Sequence, residues 1–334
     1  GGRRGAAPVR GAMASIFSVT VPFFALVLCG YLAARLKLLP ASAIPGLNIY
    51  VLYFALPCML YRFGASLPVA QLIDTSVIAV WLGAALVMVL GTVAVSRYAG
   101  IGLKDSAFGA LTATFPNTGF MGVPLLATLL GAAAAGPVIT TVLIDLLITS
   151  SLAIAVAQMG DRGELGPAAS ALRSVRGALS NPLPWSIGAG MVSSATGLHT
   201  IGPADTIVKM LGDSATPVAL FAIGTVLWRA GQQVHGRTPL RSYLSLALAK
   251  LLVHPLLVLG LGWIAMQLLG APLSGFSLTV LVLAAALPSA STVSLLAERY
   301  GADNGRVTRA VVLSTALAFF TFSLVAWLAD MQRQ

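Results

Sequence analysis

The chain has 334 residues, of which 57% are hydrophobic and only 9% charged, and its net charge is +10. Soluble domains carry about 25% charged residues, and no single soluble core could hide this much apolar surface; the mean hydropathy of +0.91 agrees. Soluble enzymes and nucleic-acid-binding domains are therefore excluded, and the positive excess is read as a record of the loops that stay cytoplasmic.

Gly1 to Ala12 is rich in Gly, Ala and Arg and precedes Met13-Ala14-Ser15, so residues 1–12 are expected to be a disordered extension or tag remnant. The apolar run that follows, Ile16 to Leu36, is too long for the h-region of a signal peptide. Both cysteines, Cys29 and Cys58, lie within apolar stretches and cannot build a disulfide framework.

A spanning helix needs about 20 mostly apolar residues, because lipid offers the backbone no hydrogen-bond partner. That ruler predicts ten spans, near 16–35, 45–63, 72–95, 107–130, 137–159, 182–197, 206–228, 242–268, 274–298 and 308–329. An even number places both termini on one side. The loops after the odd-numbered spans hold 13 of the 20 basic residues, among them Arg35, Lys37, Arg97, Arg173, Arg229, Arg299 and Arg309. The positive-inside rule then predicts a multi-pass membrane protein with both termini outside.

The predicted spans divide into two halves of five, 13–159 and 182–334, joined by a polar cytoplasmic linker over 160–181. An odd number of spans turns the second half upside down relative to the first, the geometry of an inverted repeat. Ala55-Leu56-Pro57 in the second span is matched by Ala215-Thr216-Pro217 in the seventh. The fourth span carries Pro116-Asn117-Thr118-Gly119, with Pro124 beyond, and the ninth carries Pro288-Ser289-Ala290-Ser291-Thr292.

Proline within a helix removes one backbone bond and clashes with the preceding turn, at about 3 kcal/mol. Freed backbone groups are tolerated at mid-membrane only where they line a cavity or are buried in protein. Kinks of this kind can simply loosen packing. Their symmetric placement instead predicts a substrate site at two broken helices, whose half-helix N-termini each carry about +0.5 of a charge. Such a place suits an anion, above all a carboxylate.

Ionisable residues inside the bilayer are costly and usually functional. Asp145 falls midway along the fifth span, where it could bind a coupling proton or cation or form a charge pair with Lys250 of the eighth. Lys250 could also offset a substrate's charge or snorkel to the cytoplasmic face. His254, four residues on, shares its helical face and is expected to be a packing donor. Asp74 is expected at the membrane interface. The sequence has no nucleophile elbow, zincin motif or phosphate-binding loop, so neither an enzyme nor an ATP-driven pump is indicated, and no cofactor or metal site is predicted.

The string Phe115-Pro116-Asn117-Thr118-Gly119-Phe120-Met121-Gly122-Val123-Pro124-Leu125-Leu126 resembles the fourth-helix signature of the auxin efflux carrier family, which includes plant PIN-type carriers and many bacterial members. Ala286-Leu287-Pro288 with Ala297-Glu298-Arg299-Tyr300, Ser180-Asn181-Pro182-Leu183, and Lys250 to Pro255 are also similar to that family's motifs. The resemblance implies an all-α protein of the bile-acid-symporter/Na⁺-H⁺-antiporter-like type: two inverted five-helix repeats with crossed, broken helices 4 and 9. It further implies a fixed scaffold of spans 1, 2, 6 and 7, a moving unit of the other six, and often a homodimer. Asn117 would contact substrate, with Pro116 and Pro288 defining the crossing. Ser289 stands where plant members carry a larger polar side chain, and their long central loop is absent, so the chain is similar to compact bacterial members. A small organic anion such as malate or malonate is then expected ahead of auxin. Thr118, Gly119, Ser289, Ser291 and Thr292 complete the predicted substrate site. The expected activity is secondary transport by elevator-type alternating access. The alternatives are an H⁺- or Na⁺-coupled carrier using Asp145, and a membrane sensor that does not transport.

Overall fold

The computed structural model describes residues 7–159, 172, 176, 179–198, 200–233 and 238–331. Most of the expected linker over 160–181, and residues 1–6 of the expected extension, lie outside these. Residues 7–12 form the start of the first helix.

The described residues are helical almost throughout. In chain order the main helices are α1 (Ala7–Arg35), α2 (Ala43–Ser66), α3 (Thr75–Tyr98), α4 (Leu103–Thr114), α5 (Thr118–Leu130), α6 (Ala132–Gln158), α7 (Pro182–Thr196), α8 (Gly202–Gln233), α9 (Leu240–Gln267), α10 (Gly275–Ala285), α11 (Thr292–Arg299) and α12 (Asn304–Met331). Seven spans, carried by α1, α2, α3, α6, α8, α9 and α12, are long and apolar enough to cross a membrane. The other three predicted spans differ. The sixth is α7, a helix of 15 residues. The fourth and ninth are each broken in two, as α4–α5 and α10–α11.

Local chemistry accounts for the boundaries. Asp74 caps α3, its carboxylate accepting from the N–H groups of Ser76 and Val77. Asn181 caps α7 by accepting from Leu183 N–H, with Pro182 at the first helical position, where its missing N–H costs nothing. Inside helices, proline has a different signature. The residues before Pro57, Pro124 and Pro255 bond back five positions, making π-helical turns at Val51–Ala55, Thr118–Gly122 and Ala249–Val253. A fourth such turn, Asp145–Thr149, has no proline behind it; isolated π turns are frequent at functional sites.

α1 packs most extensively on α8, and α2 on α7. Glycine permits both crossings. A Cβ on Gly30 would run into the carbonyl of Phe221, and one on Gly224 into that of Val27. Across α2 and α7, a Cβ on Gly190 would stand 2.6 Å from the Tyr61 carbonyl oxygen, and one on Gly64 3.2 Å from that of Ile187. The numbering is regular: Gly30 and Gly190, Gly64 and Gly224, Tyr61 and Phe221, and Val27 and Ile187 are each 160 positions apart. A second group has α3 against α4 and α9, α4 against the C-terminal part of α6, α9 against α10 and α12, and α11 against α12.

Candidate functional site

Pro116 and Pro288 end α4 and α10, and the chain beyond each is extended before a new helix begins. The residue before proline is driven out of the α region, and Phe115 has φ −87° and ψ 99°. The freed backbone groups find each other. Asn117 N–H donates to the Pro288 carbonyl at 2.9 Å, and Ala290 N–H donates to the Phe115 carbonyl at 3.0 Å, forming an antiparallel bridge between Pro116 and Ser289. Ser289 holds this joint: its hydroxyl donates to the Thr112 carbonyl at 2.7 Å, and its N–H donates to the Ser314 hydroxyl.

Beside the joint is a cavity of about 150 Å³, below the size of drug-binding pockets and fitted to a small molecule. Pro116, Asn117, Thr118, Gly119, Ser291 and Thr292 line it. Pro288 and Ser289 do not; they belong to the joint. Asn48 of α2, Asn181 before α7 and Phe120 also line it, and no lining residue among the described residues is charged. Ser289→Ala is therefore expected to lower thermal stability by about 1 kcal/mol, one hydrogen bond's worth. Ligand affinity in the folded variant should stay unchanged by calorimetry.

The polar groups here differ from those elsewhere in the protein. Other buried hydroxyls, including Thr112, Thr114, Ser150 and Thr315, donate to the carbonyl four residues back. The side chains of Asn48, Asn117, Thr118, Ser291 and Thr292 have no hydrogen-bond partner among the described residues, and all reach the cavity. Neither Asn117 nor Ser291, the residues preceding α5 and α11, caps its helix with its side chain. The N–H groups of Thr118, Gly119 and Thr292 have no acceptor among the described residues, whereas Val293 and Ser294 donate to the Ala290 and Ser291 carbonyls. Two uncapped helix N-termini therefore open on one cavity, and an anion would satisfy both.

A second, larger cavity of about 870 Å³ lies along the same helices, lined by Met59 and Arg62 of α2, Pro124 and Thr128 of α5, and Asp213 and Thr216 of α8. Arg62 and Asp213 form an ion pair there at 2.7 Å. In chain position, Leu56, Met121 and Leu220 lie between the two cavities on these helices, and all are buried.

The ionisable residues sit apart from the cavity. Asp145, Lys250 and His254 are fully buried. Trp81 Nε1 donates to Asp145 Oδ1 at 3.1 Å, and the Thr149 hydroxyl donates to the same oxygen at 2.9 Å. Lys250 Nζ donates to the Ala285 carbonyl at 2.5 Å and meets His254 Nδ1 at 3.1 Å. The direct Asp145–Lys250 ion pair weighed from the sequence is not found among the described residues: Asp145 Oδ1 is taken by Trp81 and Thr149, and Lys250 by the Ala285 carbonyl and His254. Lys250 does not snorkel either: it caps the C-terminal end of α10, where a cation is favoured. His254 packs its ring 5.3 Å from that of Trp81, but the packing donor expected from the sequence is not seen, since its Nε2 has no partner among the described residues.

Sequence reasoning missed Asn48, Phe120 and Trp81. An asparagine in an apolar span was the available signal for Asn48; nothing local marked Trp81. Asn181 was noted only as part of a motif.

Comparison with known proteins bears on this arrangement. The family described as "Membrane transport protein" matches residues 15–326. The chain is 27% identical to a protein of Rhizobium meliloti named "Putative malonate transporter", over 95% of this chain and 96% of that one. It is also 27% identical to an "Uncharacterized transporter" of Methanothermobacter thermautotrophicus, over 94% of this chain and 97% of that one. Matched along nearly its whole length, the chain belongs to the membrane transport protein family, the auxin efflux carriers that its helix-break motifs resemble.

Proposed function

We propose that this protein is a secondary transporter of a small organic anion, with malonate as the first substrate to test, and that the anion binds in the cavity beside the Pro116–Ser289 joint. The observation that carries this reading is the pair of uncapped helix N-termini facing one small cavity edged by unpartnered amides and hydroxyls. Fixed dipoles would hold a carboxylate there without a permanent countercharge, so the site can also be empty at modest cost. The name of the Rhizobium relative supports malonate.

The architecture proposed is a ten-segment inverted repeat, with α1, α2, α7 and α8 as a framework and the remaining helices as a unit that moves across it. The constant offset of 160 between the paired glycines and the carbonyls they meet supports the repeat in the framework. Under that relation the α1–α8 crossing becomes the α7–α2 crossing. In the second group, α4 and α10 begin 172 positions apart, and so do Pro116 and Pro288. The cavities then lie on opposite sides of an apolar seal, between the framework helices and α5. The loop charges support a cytoplasmic position for the cavity near Asn48 and Asn181, with both termini outside.

Counterflow in proteoliposomes tests the function. Purified protein should accumulate labelled malonate transiently against unlabelled internal malonate, and malonamide, of similar shape but uncharged, should not compete. Equal competition by malonamide, or the absence of counterflow with malonate, malate and indole acids alike, would remove this reading.

A further inference from the structure

We infer that the buried cluster of Asp145, Lys250 and His254 is a proton-binding site whose occupancy is linked to the anion in the neighbouring cavity. The inference rests on the anion-transport reading for its linkage and on geometry for the site itself. Asp145 Oδ2 and His254 Nε2 are buried and have no partner, whereas the other polar atoms of the cluster are satisfied. With Nδ1 facing the Lys250 ammonium, the His254 proton resides on Nε2, so His254 is neutral. The carboxylate thus has one open acceptor, and the proton has one place to go.

A metal cation does not fit the same space. Asp145 is faced by an indole N–H and a hydroxyl, with the Lys250 ammonium close enough for its charge to act on the carboxylate. Other ionisable groups are remote. α10 and the part of α6 around the cluster contain none besides Asp145, and Arg97 lies at the far end of α3, donating to the Ile101 carbonyl. Asp105 of α4 and Arg306 of α12 are held in a separate knot that includes the Ser242 carbonyl, two turns before Lys250 in α9. Arg309 of α12 bonds to the Thr238 carbonyl, just before α9.

The cluster adjoins the cavity wall and holds one arm of the crossing. Asp145 lies on the π turn whose next residue, Leu146, lines the anion cavity. Lys250 holds the carbonyl of Ala285, three residues before Pro288. With Asp145 ionised and Lys250 charged the cluster is neutral. One proton on Oδ2 leaves it at +1, which attracts an anion across a short low-dielectric distance. Proton and anion therefore favour each other, and by linkage each tightens the other's binding equally.

Infrared difference spectra of the reconstituted protein, titrated with pH and with malonate, test this. The wild type should show a protonated-carboxyl band on acidification that Asp145→Asn lacks and that malonate increases at fixed pH. Malonate binding, measured by calorimetry, should weaken about tenfold for each pH unit raised above the band's midpoint, as one linked proton requires. Should Asp145→Asn fail to fold, Lys250→Met must move the same band to higher pH, because the carboxyl loses its cationic neighbour. Identical wild-type and variant spectra would overturn the site whatever malonate does. A band indifferent to malonate that binds would overturn the linkage. A titrating band with no malonate binding would uphold the proton site and remove malonate as the substrate.

Discussion

Asn117→Ala is expected to lower malonate transport by about 10- to 100-fold while leaving the protein folded. The amide sits where the chain leaves the Pro116–Ser289 joint and enters α5, and it is 4% exposed. Its backbone is committed: the N–H goes to the Pro288 carbonyl, and the carbonyl accepts from Met121 and Gly122. Its side chain has no such commitment and reaches the cavity. Truncation therefore spares the joint and removes one hydrogen bond to a charged ligand, of about 1.5–3 kcal/mol. Initial rates in proteoliposomes, with protein folding checked by gel filtration, measure the effect. Asn117→Asp should be worse than alanine, since it sets a negative charge beside the anion. Wild-type rates in Asn117→Ala would place the site elsewhere.

Gly224→Ala is expected to destabilise the protein by about 3 kcal/mol, the upper end of overpacking costs, because the new methyl would meet backbone that cannot rotate aside. Its contact is the Val27 carbonyl region of α1, at the most extensive helix pairing in the molecule. Gly190→Ala, which would meet the Tyr61 carbonyl and the Gly64 backbone, should behave similarly. Gly46 and Gly91 serve as controls, since a Cβ there would meet nothing within 4 Å. Alanine at those positions should be neutral or stabilise by about 0.5–1 kcal/mol. Thermal unfolding in one detergent ranks all four. Equal effects across the set would show that the two crossings do not depend on close backbone approach.

The helix breaks were legible in the sequence because proline acts locally: Pro116 and Pro288 forbid regular helix wherever they fall, and the bilayer ruler sets the spans around them. The joint was legible only in outline. That Asn117 N–H meets the Pro288 carbonyl depends on two segments 170 residues apart, which no local pattern encodes. For the same reason Asn48 was missed, since its value comes from α2 lying against the break. Gly30 and Gly224 could not be told from the other glycines, 34 in all, until the helices were crossed. Asp145 and Lys250 stood out in the sequence as charges inside apolar spans, but their hydrogen-bond partners did not. Opposite charges suggest pairing, whereas Trp81, placed by α3, supplies the hydrogen bond that Lys250 was expected to make. The π turn at Asp145, lacking proline, left no trace in the residue pattern.

The account stands or falls on the anion occupying the cavity at the two helix starts. Thiol protection at Thr292→Cys, in a background with Cys29 and Cys58 replaced by alanine, tests it most directly. Malonate should slow labelling of this cysteine by a small membrane-permeant reagent in proportion to its occupancy, and malonamide should not. A cysteine at Thr128, in the larger cavity, should show no saturable protection of this kind. Undiminished labelling of Thr292→Cys at malonate concentrations that saturate transport would contradict the account.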